Sequence, residues 1–179
     1  MVRQIISVFL FFFCFICNAQ QYIGNKGKIT FFSEAPIENI SAVNNNVSAV
    51  YDSDTQEIVF QLKIKDFIFP KKLMQEHFNE NYLESDIYPT SIFQGKVFDQ
   101  NTDIKKTDNV RVQGSLSIHG EKNQIVVEGE LFHKQDVVNI KAHFSIKLED
   151  YNIDIPKLVI YNIAEVIEIN VDIELKEIL

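Results

Sequence analysis

Beyond Cys17 the chain has no cysteine; Cys14 sits in its first apolar run and Cys17 directly after it. From residue 20 onward, that excludes a disulfide, a thiolate metal site and a cysteine nucleophile. Tryptophan is missing as well, against fifteen phenylalanines, a balance that points to apolar filling rather than to specific chemistry. Basic clusters are scarce. Lys71-Lys72 and Lys105-Lys106 read as solvated loop edges, and the net charge is −8, which makes the chain a poor binder of phosphate backbones and argues against nucleic acid as a partner. No G-x-S-x-G elbow is present, and no H-E-x-x-H pair, so neither a serine-triad hydrolase nor a zinc protease has its sequence handle.

The longest apolar run, Ile5 to Ile16, falls short of the roughly 20 residues a membrane-spanning helix needs. It follows Met-Val-Arg-Gln and precedes Cys17-Asn18-Ala19. A basic start, a short apolar core and a small residue at the cut site predict a secretory signal peptide over 1–19. Phe13 and Ile16 precede the two cysteines, where a lipidated cysteine would follow a small residue. The expectation is therefore an exported, periplasmic domain over 20–179, without a transmembrane segment after cleavage and with a net charge near −9 once Arg3 is gone. Export without disulfides is compatible with a bacterial periplasm, and the length suffices for one core.

Apolar residues alternate with polar ones along nearly the whole of this domain. Gly24-Asn25-Lys26-Gly27 predicts a turn, then a strand over 28–32; the asparagine-rich stretch 33–46, with Pro36, predicts a bend and a loop. Val47, Ala49 and Tyr51, the Asp52-Ser53-Asp54 turn, and Ile58, Phe60, Leu62 and Ile64 predict a hairpin. Phe93, Gly95 and Val97 begin the later strands. They continue with Val110 to Ile118, Ile125 to Leu131, Val138 to Leu148 and Ile167 to Leu175, each on a period of two, with polar loops at 99–109 and around Pro156. Strands with one apolar face must close on themselves or pack as two sheets. Gly95, Gly114 and Gly129 fall on the inward face, which fits bends in a wall or room for a guest, and equally a packed sandwich.

One segment departs from this pattern. Lys72 to Pro89 predicts an amphipathic helix with Leu73, Met74, His77, Phe78 and Tyr82 beneath and Glu76, Glu80 and Glu84 on another face; Tyr88-Pro89 ends it. His77 with Glu76 and Glu80 could suggest a metal, but no second histidine lies one turn away, so the glutamates read as a solvated face and no metal site is assigned. The same glutamates are close enough for paired acid–base work, yet that spacing is the ordinary surface pattern of a helix, and no catalytic residue or cofactor is assigned. His119 ends a strand, where it can pin a turn or meet a head group; His133 and His143 read as outward strand residues.

This helix exit, with His77, Glu80, Glu84-Ser85 and Tyr88-Pro89, is followed by F-Q-G-K-V (93–97), G-S-L-S-I-H-G (114–120) and F-S-I-K-L-E-D-Y-N-I-D-I-P (144–156). In that order the blocks resemble the YceI-like family over roughly Lys28 to Leu175. The resemblance implies an all-β fold: an antiparallel up-and-down barrel of about eight strands, lipocalin-like, with one amphipathic helix near its mouth. It also implies a periplasmic binding or carrier protein, not an enzyme, holding a long isoprenoid, quinone or acyl chain inside the barrel. The lipid-binding candidates are Phe60, Leu62, Phe67, Leu73, Met74, Phe78, Tyr82, Phe93, Val112, Leu116, Ile118, Phe144, Ile146 and Ile169. The alternative for each is plain core packing, and for the whole a ligand-free envelope interaction barrel; a homodimer stays open. S-E-A-P-I-E-N-I (33–40) lacks the histidine expected of many members, and the helix is acidic. Both favour a guest with a neutral head over a pyrophosphate.

Overall fold

The computed structural model describes residues 20–34, 39–99, 108–154 and 165–178. The expected signal peptide, Pro36, most of the 99–109 loop and Pro156 lie outside the described residues. Among those described, eight strands form one closed antiparallel barrel in chain order: β1 (Gln21–Ser33), β2 (Ile40–Asp52), β3 (Glu57–Lys63), β4 (Thr90–Asp99), β5 (Asp108–Ile118), β6 (Glu121–Lys134), β7 (Val137–Lys147) and β8 (Val166–Ile178). β1 pairs with β8, Gln21 opposite Ile178 and Phe32 opposite Glu168. Closure removes both sheet edges, as a sheet of half-buried strands requires.

The β2–β3 turn follows from Asp52, whose carboxylate accepts the main-chain N–H groups of Asp54 and Thr55 at 3.0 and 2.9 Å. The Thr55 N–H, then the Gln21 side chain, hold this carboxyl below its ordinary range.

Two stretches expected as turn and loop are strand. Gly24 to Gly27 runs inside β1, as a register shift rather than a reversal, and glycine is needed at 27 because a side chain there would collide with Ile173 of β8. Ile40 to Asn46 runs inside β2. Asn44, fully buried, is tolerated there because its amide is satisfied, donating to the Lys63 carbonyl at 3.0 Å and accepting from the Asn46 N–H at 2.9 Å. Asn45 and Asn46 then form a bulge, with Ile29 opposite Asn44 but Gly27 opposite Val47.

The helix is shorter than its pattern. α1 (Lys72–His77) continues as one wider turn through Tyr82. The chain then reverses at Glu84, which adopts a positive φ of 42°, while the Ser85 N–H reaches back to the Asn79 carbonyl at 2.8 Å. This left-handed ending satisfies carbonyls that a longer helix would have used.

The barrel interior has two apolar clusters. At one end Tyr22, Tyr51, Leu131, Val138, Ile173 and Leu175 fill it solidly; at the other Leu62, Ile64, Phe67, Phe69, Leu83, Ile118 and Tyr151 form a ring beneath α1. Phe60 and Phe93 touch both.

Candidate ligand cavity

Between the two clusters lies a cavity of about 490 Å³, within the roughly 300–1,000 Å³ of small-molecule sites. Along β5 its lining runs from Ile118 down to Val110, about 20 Å of depth for a strand rising ~3.4 Å per residue and tilted ~40°. Its walls are mostly apolar, with Ser33, Gln61, His77 and Ser91 as polar members and Glu130 and Lys141 reaching it where β6 meets β7. Inward residues such as Phe60, Phe93, Val112, Phe144, Ile146 and Ile169 are only half-buried. Inward positions that keep accessible surface are the mark of a hollow rather than a packed interior.

The mouth is built by the segment between β3 and β4. Ile68 bridges to Val43 of β2, its N–H donating at 2.8 Å and its carbonyl accepting at 3.1 Å. This pins the backbone so that Phe67 and Phe69, on either side, both turn inward and are buried. Phe78 from the end of α1 completes an aromatic group with Phe31, Phe67 and Phe69, its ring centroid 5.5, 5.6 and 4.9 Å from theirs. Met74, His77 and Tyr82 line the cavity beside it; burial pushes the Tyr82 hydroxyl up.

Phe60, Leu62, Phe67, Met74, Phe78, Tyr82, Phe93, Val112, Leu116, Ile118, Phe144, Ile146 and Ile169 all line this cavity. Leu73 does not: it is 62% exposed, because the short helix rolls that position outward while Met74 takes the inner face. Phe31, Phe69, Val110, Val127 and Ile140 also line it. For the last three the signal was the alternation of their own strands. Phe31 and Phe69 were hidden in the doublet Phe31-Phe32 and the run Phe67-Ile68-Phe69, where parity alone does not choose a face.

The inward glycines do not all leave room. Gly95 and Gly114 face each other across β4 and β5, and a Cβ on either would lie 2.8 Å from the Phe93 ring. The space they leave holds that ring.

Of the histidines, His143 faces outward as expected, its ring 2.8 Å from the Asn170 side chain. His133 faces inward instead, edge-on to Tyr22 at 5.7 Å and tilted against Tyr51 at 6.2 Å; it continues the parity of Leu131, which the sequence already displayed. His77 is exposed at the mouth. His119 is outside the cavity lining. Its Nε2 lies 2.9 Å from Glu84 Oε2 and its Nδ1 3.3 Å from the Tyr151 carbonyl, with the Tyr88 ring against it at 4.6 Å. It ties the helix exit to the turn after β7 (Leu148–Tyr151). Among the acidic helix residues Glu76 pairs with Lys72 at 3.4 Å, and among the described residues no cluster of metal-ligand type occurs.

A model of the YceI-like domain matches residues 22–175. The chain belongs to the YceI-like family. Solved structures agree on the fold. A polyisoprenoid-binding domain from Saccharophagus degradans superposes with a TM-score of 0.74 at 10% identity, over 89% of this chain and 99% of its own. BcnA of Burkholderia cenocepacia gives 0.72 at 15% identity, over 83% and 96%. The YceI protein of Campylobacter jejuni gives 0.63 at 18% identity, over 82% and 90%. No curated protein matches in sequence. At these identities the likeness of this YceI-like chain to the solved structures lies in the barrel itself. Among its described residues no helix is long and apolar enough to cross a membrane.

Proposed function

We propose that this YceI-like domain binds and carries a long apolar chain, of acyl, quinone or isoprenoid type, inside the barrel and in the periplasm, reached through export by residues 1–19. The carrying observation is the cavity. It holds about 490 Å³ behind an open mouth, and its inward side chains forgo the contacts that a packed interior would give them. Water is a poor filler for walls with so few polar partners, whereas an apolar guest gains about 0.8 kcal/mol per buried methylene. The binding of polyisoprenoid by the Saccharophagus degradans domain supports the same class of guest.

The proposed contacts are those of the sequence candidates that line the cavity, with Phe78 and Tyr82 at the mouth. A neutral head suits that mouth, because Glu80 stands exposed on the wider turn after α1 and would repel an anion. The domain acts by binding, not by turnover. Mass spectrometry of an organic extract, taken from protein purified out of a periplasm without detergent, should find one neutral lipid in stoichiometric amount, chemically unaltered after incubation. A clean extract, together with no uptake of added quinone or fatty alcohol, would overturn the reading and favour a ligand-free interaction barrel.

A further inference from the structure

The barrel wall is not uniformly bonded. β6 and β7 pair from Lys134↔Val137 to Gly129↔Ala142, and the ladder stops there. Toward the mouth, 124–128 and 143–147 remain regular strand, and each keeps its other neighbour: β6 pairs with β5 as far as Ile118↔Glu121, and β7 with β8 as far as Lys147↔Val166. The separation is therefore a slot between two intact strands, not fraying. Its lower end is the close approach at Gly129, where a Cβ would lie 2.6 Å from the Lys141 carbonyl oxygen. At its upper end the Asn123 side chain donates to the Asp150 carbonyl, drawing the turn after β7 back onto β6.

Three observations give the slot a use. Val127 and Phe144, which a continued register would place opposite each other, both line the cavity. Gly129, Glu130, Lys141 and Ala142 line both the cavity and a hollow on the outer face, so the wall is thin where the ladder ends. On the outer face of β6 beside the slot, Val126 is 56% exposed. We propose that this slot is a lateral portal: the tail of an acyl or isoprenoid chain too long for the cavity passes between Val127 and Phe144 and ends against Val126. The inference rests on the binding reading above. It specifies the guest as an unbranched or prenyl chain longer than the chamber, held with its head at α1 and its tail in the wall.

Because the chain has no tryptophan, single tryptophans can report the tail directly. The probe is octadecanol brominated near its methyl end, a contact quencher, with uptake by the unaltered chain read after gel filtration and extraction. Val126→Trp and Phe144→Trp should each lose at least half their fluorescence, while Val50→Trp, on the outer face of β2, keeps its own. Uptake by the unaltered chain without quenching of Val126→Trp would overturn the portal and leave the binding reading standing. Equal quenching at Val126→Trp and Val50→Trp would reduce it to surface adsorption and overturn it too. No uptake by the unaltered chain would sink both. The outer-face variants and the unaltered chain decide the matter even where Phe144→Trp fails to fold.

Discussion

Phe78 sits half-buried among Phe31, Phe67 and Phe69 at the mouth, close enough to solvent for a charge there to reach water. In Phe78→Glu, affinity for octadecanol should fall at least tenfold, about 1.4 kcal/mol, with a smaller loss of unfolding free energy in urea. Equal losses would mark Phe78 as ordinary core. His119 is the opposite case. Its side chain is nearly buried between Glu84 and the Tyr151 carbonyl and outside the cavity lining. His119→Ala should cost about 1–3 kcal/mol of stability by leaving partners unsatisfied, with affinity for the same alcohol unchanged; a loss of affinity at unchanged stability would refute the pinning role. That the I-H-G histidine belonged to a strand end was readable in sequence. That its partner is Glu84, thirty-five residues away, was not, because the pairing depends on the reversal at Glu84.

Among the elements, β4 and β5 show how a ring and two missing side chains act together. Gly95 and Gly114 form one rung, and Phe93 lies over it. A Cβ on Gly114 would meet the Gln94 carbonyl oxygen at 2.5 Å and the Gly95 Cα at 2.6 Å, both main-chain atoms that cannot step aside. Gly114→Ala should therefore destabilise by about 1–3 kcal/mol, the usual cost of overpacking; an unchanged urea midpoint would show that the two strands part freely. The inward placement of these glycines was legible from alternation alone, since side-chain direction along a strand is a local property. What occupied the space was not legible, because a glycine reserves room without naming its tenant. α1 was legible in kind but not in length. Periodicity ran on to Tyr88, while the left-handed turn at Glu84, a conformation that a non-glycine sequence does not advertise, ended the helix early.

For the whole molecule, the buried tyrosines set an alkaline limit. Burial pushes the hydroxyls of Tyr22, Tyr82 and Tyr151 up, with Glu177 and Asp136 adding at Tyr22 and Asp150 at Tyr151. The unfolded chain ionises first, near pH 10, so it binds fewer protons than the fold, and stability must fall as pH rises. The contribution is fully present below about pH 10 and is lost as pH climbs toward the folded-state values. Urea midpoints should be flat across pH 7–9 for these groups and drop above about pH 10, and Tyr151→Phe should reduce that drop; an equal drop in the variant would remove Tyr151 from the account. The amino-acid sequence by itself determined where most of the strands lie, the inward set from Phe60 to Ile169 apart from Leu73, and the presence of one helix, because alternation and amphipathicity are written residue by residue. Tertiary structure alone decided the pairing of β1 with β8, the survival of a chamber between one filled end and a mouth, and the halt of the β6–β7 ladder at Gly129 and Ala142. Those depend on strand tilt, twist and stagger summed around the whole barrel, quantities that no local window of sequence contains.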